Sequence, residues 1–126
     1  MKAAFVKHER ETRGQVKRLE HVFKIFGKKA QAKKCEAIMG ITKEGQEIMI
    51  EFKGMPALDA GLAAAAQAVE HYEMSRYGTL ETWAIELGMP KAAALLDATL
   101  KEEKATDLAL TALAKSVVNV EAEADL

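Results

Sequence analysis

Two glutamates lie on an otherwise apolar face of a long helical segment, and this feature limits the possible folds more than any other. The segment runs from about Ala57 to Leu87, and the residues of this face recur every three or four positions, as on one side of a helix. They are Leu62, Ala66, Glu70, Glu73, Tyr77 and Leu80. Carboxylates at core positions are costly unless they are paired, protonated or bound to a metal. The alternative is a helix rotated slightly, so that both glutamates lie in water at the edge of the core.

Size and charge predict one globular domain spanning residues 1–126 and exclude some classes of partner. The 126 residues suit a single hydrophobic core, and 49% of them are hydrophobic. A net charge of −1 gives no reason to expect binding to nucleic acid or to an acidic membrane. The longest apolar patch, residues 61–66, is too short to span a bilayer. The single cysteine, Cys35, is expected to be a buried or half-buried thiol in a cytoplasmic protein.

Three further segments have helical periodicity, and a basic linker of exposed lysines is expected between the first two. The segments are about Lys2–Phe26, Cys35–Phe52 and Pro90–Val118. The expected apolar stripes are Phe5, Thr12, Val16, Leu19, Phe23 and Phe26 on the first and Leu96, Leu100, Leu110, Leu113 and Val117 on the last. A strand at Glu47–Phe52 is the alternative for the end of the second segment. The acidic end, Glu121–Leu126, is expected to fray.

The first segment carries candidate metal ligands beside its apolar stripe. His8 and Glu11 are three residues apart, so both side chains can reach one metal ion. Gln15 and Arg18 continue the same row at helical spacing. The alternative is a polar surface row in which Glu11 pairs with Arg18 or Lys7.

The last segment also places a carboxylate where its apolar stripe should continue. Glu103 and Asp107 interrupt the stripe after Leu100. Glu102 is one position further round the helix, and we expect it to face solvent or a neighbouring lysine. Inward carboxylates are therefore predicted on at least two helices.

Taken together, these segments predict an all-α, antiparallel helical bundle with three long helices and one short connecting helix. Glutamates and histidines that point to a common centre from several helices are typical of sites with two iron or two manganese ions. Carboxylates and imidazoles suit these metals, whereas a lone cysteine argues against a zinc site made of thiolates.

The sequence also resembles the YciE/YciF family of bacterial, stress-associated, ferritin-like proteins. The resemblance covers nearly the whole chain, and its most specific parts are the runs Val-Glu70-His-Tyr-Glu73 and Glu102-Glu-Lys-Ala-Thr-Asp107. Other matching runs are His8–Phe23, Lys34–Gly40, Asp59–Ala60, Ala64–Gln67, Tyr77–Leu80 and Thr99–Leu100. The resemblance implies a ferritin-like, rubrerythrin-like bundle that forms a dimer and holds a carboxylate-bridged centre of two iron or manganese ions.

Carried over to this sequence, the resemblance implies a set of site residues on three helices. The implied metal ligands are Glu11, Glu70, Glu73 and Glu103, with His8 and Asp107 as additional candidates. His71 is expected near the site, one position off the face of the glutamates. Tyr77 and Gln15 are expected to orient the ligands by hydrogen bonds.

One departure from the family is that Met1 falls where the family's second long helix begins. The family's first helix carries a metal ligand of its own, so this sequence resembles a helical bundle that lacks one helix and one ligand. Apolar faces would then be exposed, which leads us to expect a second copy of the chain or a swapped element in that place.

Three functions are compatible with these observations. The first is a di-metal protein that handles iron, dioxygen or peroxide under stress, which would make it a di-iron oxidoreductase if it is an enzyme. The second is a non-catalytic structural or interaction module with an incomplete metal site. The third is a carrier of a hydrophobic ligand, with Trp83 as a candidate lining residue.

Overall fold

The computed structural model describes residues 1–124, and within this range the regular elements are all helical. The elements are α1 (Lys2–Ile25), α2 (Glu36–Glu51), α3 (Ala57–Glu86), α4 (Pro90–Leu113), a π-helix (Ala114–Val118) and α5 (Asn119–Glu123). The predicted all-α helical bundle with three long helices and one short connecting helix is confirmed. The alternative strand at the end of the second segment is wrong, because α2 continues to Glu51.

Glycines in the left-handed region end α1 and α3. Gly27 and Gly88 both have a φ of 67°, a conformation that side chains with a Cβ rarely adopt. After Gly88, the N–H of Met89 donates to the carbonyl of Ala84 at 2.8 Å, so a carbonyl of the last turn is satisfied. The chain can therefore reverse direction abruptly between α3 and α4.

Contacts divide the described chain into two compact units, and each unit contains part of α3 and part of α4. The first unit contains Cys35–Tyr72 and the described residues from Ala105 onward. The second unit contains Lys2–Lys34 and Glu73–Lys104. The sequence-based assignment of residues 1–126 to a single domain stays a prediction.

In the first unit, small residues let α2 and α3 approach closely. A Cβ added at Gly61 would lie 2.8 Å from Cγ2 of Ile48, and one added at Gly45 would lie 3.6 Å from Cβ of Ala65. Cys35, just before α2, is half-buried as predicted. Its Sγ lies 3.0 Å from the hydroxyl of Tyr72.

In the second unit, the hydrophobic core lies between α1 and the adjoining parts of α3 and α4. Its buried members are Tyr77, Ala84, Ala92, Ala93, Leu96 and Leu100. Leu19, Val22, Ile25 and Phe26 of α1 pack against them. The alanines leave room for the larger side chains from the opposite helices.

The buried face of α1 differs from the predicted apolar stripe. Phe5 and Val16 are exposed, whereas Gln15, in the neighbouring polar row, is the buried residue of this helix. The helix turns this row inward because polar groups on α4 require hydrogen-bond partners there. The alternative of a polar row at the surface is therefore wrong for Gln15.

The end of α4 also differs from the expected stripe by one position. Val117 is 40% exposed, whereas Val118 is 1% exposed. The π-helix at 114–118 accommodates one extra residue per turn, which moves the next valine to the buried side. The chain stays helical to Glu123 where fraying was expected, and Asp125 and Leu126 of that stretch lie outside the described residues.

The linker between α1 and α2 is exposed, as predicted for its lysines. Lys28, Lys29, Lys33 and Lys34 are all exposed. His21, on the outer side of α1, is also exposed as expected. Among residues 1–124, no helix is both long enough and apolar enough to cross a membrane.

Candidate metal centre

The two glutamates of α3 lie one turn apart and face inward. Glu70 is 1% exposed and Glu73 is half-buried. The alternative in which both glutamates lie in water is therefore wrong. A helix places residues three apart on one side, so this pair follows directly from the sequence spacing.

His8 of α1 brings an imidazole to the same carboxylates. One of its ring nitrogens lies within 4.8 Å of a carboxylate oxygen of Glu73, and both residues belong to the second unit. Atoms at this separation can bind one ion after small side-chain adjustments, because metal–nitrogen and metal–oxygen bonds are about 2 Å long. The imidazole of His8, which the sequence analysis paired with Glu11, thus lies beside Glu73, and metal binding by His8 stays a prediction.

Glu103 of α4 is completely buried and is held by Gln15 of α1. Its side chain is 0% exposed, and the amide Nε2 of Gln15 donates a hydrogen bond to its Oε1. No hydrogen-bond donor of residues 1–124 reaches Oε2, which is also buried. A buried carboxylate oxygen without a donor costs free energy, and a cation or a shared proton would remove that cost.

Glu73 lies beside Glu103 and is harder to ionise than an exposed glutamate. Burial, the negative charge of Glu103 and a hydrogen bond with its carboxyl group raise the pKa of Glu73 from 4.5 to about 7. A hydrogen bond between two carboxyl groups exists only when one of them carries the proton. Near neutral pH, Glu73 therefore exchanges between a protonated form and a carboxylate form, and only the carboxylate can bind a cation.

Tyr77 lies one turn after Glu73 and keeps its proton over the physiological range. Burial raises the pKa of Tyr77 to about 12, and the charges of Glu73 and Glu103 contribute to the increase. Its hydroxyl group is therefore a potential hydrogen-bond donor beside the carboxylates. This agrees with the predicted role of orienting the ligands, which stays a prediction.

An ion pair between α1 and α4 lies beside Glu103. The guanidinium of Arg18 donates to both carboxylate oxygens of Glu102, at 2.8 and 2.9 Å, and to the hydroxyl of Thr99 at 2.7 Å. These hydrogen bonds lower the pKa of Glu102. The prediction that Glu102 faces solvent or a lysine is wrong, because Arg18 reaches it across the helix interface.

The remaining predicted residues have partners of their own. Oε1 of Glu11 lies 3.5 Å from Nζ of Lys7, one turn earlier on α1, which is one of the pairings expected from sequence. Oδ1 of Asp107 lies 3.0 Å from Nε2 of His71 and accepts a hydrogen bond from Gln67 at 3.1 Å. His71 itself is largely exposed, next to the buried Glu70. Metal binding by Glu11 and Asp107 stays a prediction.

Sequence reasoning missed the pairing partners of the polar row on α1. Gln15 and Arg18 follow His8 at helical spacing, and Glu102 and Glu103 are adjacent on α4. The spacing shows which residues share one face of a helix. It does not show which face is buried when a polar row and an apolar row lie side by side. The contacts of Gln15 and Arg18 settle that choice.

The donor set suits a hard or intermediate cation. It consists of carboxylates and one imidazole, with no thiolate, and this combination fits iron and manganese. The donorless Oε2 of Glu103 and the raised pKa of Glu73 are the features expected of carboxylates arranged for a cation. The residues present therefore fit such a group.

Long helices that bring carboxylates and a half-buried imidazole together make this chain an all-α helical-bundle protein with a candidate metal centre. The chain belongs to the family described as "Domain of unknown function (DUF892)", whose family model matches residues 1–123. The expected relationship to the YciE/YciF family is confirmed by the relatives that this chain resembles.

Two relatives define this relationship in sequence and structure. Protein YciF of Escherichia coli K12 is 47% identical over 121 residues, which cover 95% of this chain and 73% of that protein. The crystal structure of the E. coli stress protein YciF matches with a TM-score of 0.87 over 93% of this chain and 74% of the other. YcfI of Rhodopseudomonas palustris, for which a structural role is proposed, matches at 44% identity with a TM-score of 0.83, over 86% of this chain and 69% of the other.

Proposed function

We propose that this protein binds two ions of iron or manganese through Glu70, Glu73, Glu103 and His8, and handles iron, dioxygen or peroxide. The single observation that carries the proposal is the carboxyl pair of Glu73 and Glu103. Glu103 is completely buried and its charge raises the pKa of Glu73, so the two carboxyl groups oppose folding unless a cation binds them, and their position calls for a functional reason.

Each residue of the proposed centre has a distinct task. Glu73 and Glu103 would neutralise the charge of the cations, and Glu73 would give up its proton when it serves as a ligand. Gln15 holds one oxygen of Glu103, which leaves the other oxygen available for a cation. Arg18 fixes the neighbouring Glu102 and keeps that carboxylate from competing as a ligand.

The bound metals would supply electron transfer to or from dioxygen or peroxide, which the side chains alone do not provide. The chain's own residues would bind and orient the ions. The buried carboxylates would exclude bulk water, and Tyr77 would hold a proton beside them. A role in stress is consistent with the naming of E. coli YciF as a stress protein.

The experiment is elemental analysis of protein expressed with iron or manganese in excess. We expect about two ions per chain, and loss of most of this metal in the double variant Glu70→Gln, Glu103→Gln. The control is Glu86→Gln, an exposed carboxylate on the same helix as Glu70. Undiminished metal in the double variant would refute the site. Activity with peroxide is tested only if the parent protein contains metal.

A second candidate function is a structural or interaction module whose site holds no metal. It is favoured by the structural role proposed for the R. palustris relative. This function predicts a metal-free protein that folds normally and keeps its fold in the double variant. Elemental analysis distinguishes the two functions, and circular dichroism verifies that the proteins compared are folded.

A cytoplasmic location and self-association as a dimer belong to the same proposal. The single cysteine suits a reducing compartment. Ile50 and Met49 of α2 expose large apolar side chains, and surfaces of this kind commonly bind a second chain. Light scattering at micromolar concentration would give about twice the chain mass of 13.8 kDa for a dimer, and the chain mass would contradict it.

A further inference from the structure

An apolar groove that has no part in the proposed metal centre runs along the second unit. It has a volume of about 350 Å³, within the usual range of small-molecule sites. One wall is the end of α1, where Leu19, Val22, Phe23 and Phe26 line the groove. These residues are three, four and seven apart, so they form a continuous apolar stripe about 10 Å long at 1.5 Å per residue.

The opposite wall comes from the second half of α3. Leu80 and Trp83 of α3 and Leu87, just after it, line it at the same spacing, and Leu96 of α4 is also part of the lining. Trp83 is 59% exposed and Leu87 is 65% exposed. Large apolar side chains exposed side by side are unfavourable in water, and they usually mark a surface that binds something.

Lys28 is the only charged residue among those that line the groove. It follows the Gly27 turn at the end of α1, and Lys29 extends the positive charge along the exposed linker. The groove thus combines a long apolar surface with a cation at its rim. A ligand of complementary chemistry has an unbranched apolar chain and one anionic end.

We propose that the groove binds a medium-chain fatty acid, with the acyl chain between the stripes of α1 and α3 and the carboxylate near Lys28. The apolar stripes supply affinity in proportion to the area that they remove from water. The lysine distinguishes the acid from an uncharged chain. The inference is independent of metal binding, because none of the proposed ligands lines the groove.

Trp83 makes the test direct, because it is the only tryptophan of the chain and lies in the groove wall. The full chain is titrated with octanoate, decanoate and dodecanoate below their micellar concentrations. We expect a saturable blue shift of the tryptophan fluorescence. The affinity should rise about fourfold per methylene group, as for burial of an aliphatic chain.

Two variants separate the anionic end from the apolar walls. Lys28→Glu should weaken decanoate binding roughly threefold or more and leave decanol binding unchanged. Leu87→Asp should abolish binding of both. Ile85→Asp is the matched control, because Ile85 is similarly exposed on α3 but does not line the groove.

Several results would overturn the proposal. The first is unchanged fluorescence with all three acids, and the second is equal loss of acid and alcohol binding in Lys28→Glu. The third is a blue shift that depends on protein concentration without ligand, accompanied by a doubled mass. That result would assign the groove to a second copy of the chain. Circular dichroism verifies that the Leu87→Asp protein is folded, and the Lys28→Glu comparison remains decisive if it is not.

Discussion

Buried acidic side chains make the candidate centre unfavourable for the stability of the metal-free chain. Glu73 and Glu103 lie close enough for the charge of one to raise the pKa of the other, and Glu103 is completely buried. A charge held in a medium of low dielectric constant costs free energy unless it is compensated. At these positions, a charged side chain therefore lowers the stability of the metal-free fold but favours binding of a cation.

The first prediction concerns Glu73→Gln in the metal-free protein. The folded-state pKa of Glu73, about 7, lies above its ordinary value of 4.5, so this group favours folding most below pH 4.5 and loses that contribution as the pH rises to about 7. The glutamine has no such dependence. We therefore expect the variant to be more stable than the parent chain by about 1 kcal/mol at pH 8, an estimate reduced for partial exposure.

Thermal unfolding in the presence of a chelator, at about pH 5 and pH 8, tests this prediction. The melting temperatures of parent and variant should differ less at the lower pH. Glu86→Gln, at an exposed position of the same helix, serves as the control. A variant that is less stable than the parent at pH 8 would contradict the argument.

At the scale of the elements, α1 is joined to α4 by hydrogen bonds as well as by apolar packing. Arg18 makes a two-pronged contact with Glu102, and Gln15 contacts Glu103 on the next position of α4. Planar guanidinium–carboxylate pairs fix orientation as well as distance. This contact explains why α1 turns its polar row inward and leaves Val16 exposed.

The second prediction is the strength and pH dependence of this contact. A double-mutant cycle with Arg18→Met and Glu102→Gln should give a coupling free energy of about 1 kcal/mol at neutral pH. Arg18 lowers the pKa of Glu102, so the coupling is present above the unfolded-state pKa and is lost as the pH falls through the folded-state value. Urea unfolding at about pH 7 and pH 3 measures it. Equal coupling at both values would show that packing, not charge, joins the residues.

The third prediction concerns the close approach of α2 and α3. Gly61→Ala should destabilise the protein by about 1–3 kcal/mol, although alanine is the better helix former, because its Cβ would lie 2.8 Å from Cγ2 of Ile48. Gly14→Ala in α1 is the matched control, since a Cβ there meets nothing within 4 Å. It should stabilise by about 0.5–1 kcal/mol. Chemical denaturation of both variants tests the pair, and stabilisation by both would contradict the close contact.

At the scale of the whole molecule, periodicity predicts the four main helices well, because they are long and glycines follow three of them. The inward position of Glu70 and Glu103 was also predictable, since each interrupts an apolar stripe. The rotation of α1 was not predictable, because two adjoining rows both satisfy helical spacing. The choice depends on residues of α4 that are distant in sequence, and local patterns carry no information about them.

The fourth prediction is that metal stabilises the folded chain as a whole. A ligand that binds only the folded state adds about 2.7 kcal/mol at one hundred times its dissociation constant. For a chain of 126 residues this corresponds to a rise of roughly 10 °C in melting temperature. Adding Mn²⁺ to chelator-treated protein at about pH 8 should produce this rise. The variant Glu70→Gln, Glu103→Gln should not respond, and an equal rise in that variant would exclude the proposed ligands.

The π-helix near the end of the chain gives the molecule a tolerance to changes in length. Val117 and Val118 are identical in type, and the extra residue of this turn decides which of them is buried. Deleting Ser116, an exposed residue of the same turn, would restore ordinary α-helical spacing and still leave a valine at the buried position. Insertions and deletions usually disrupt a helix, because every later side chain changes its face. Here the chain can lose one residue and keep a valine in the core, so a one-residue deletion has a permitted location.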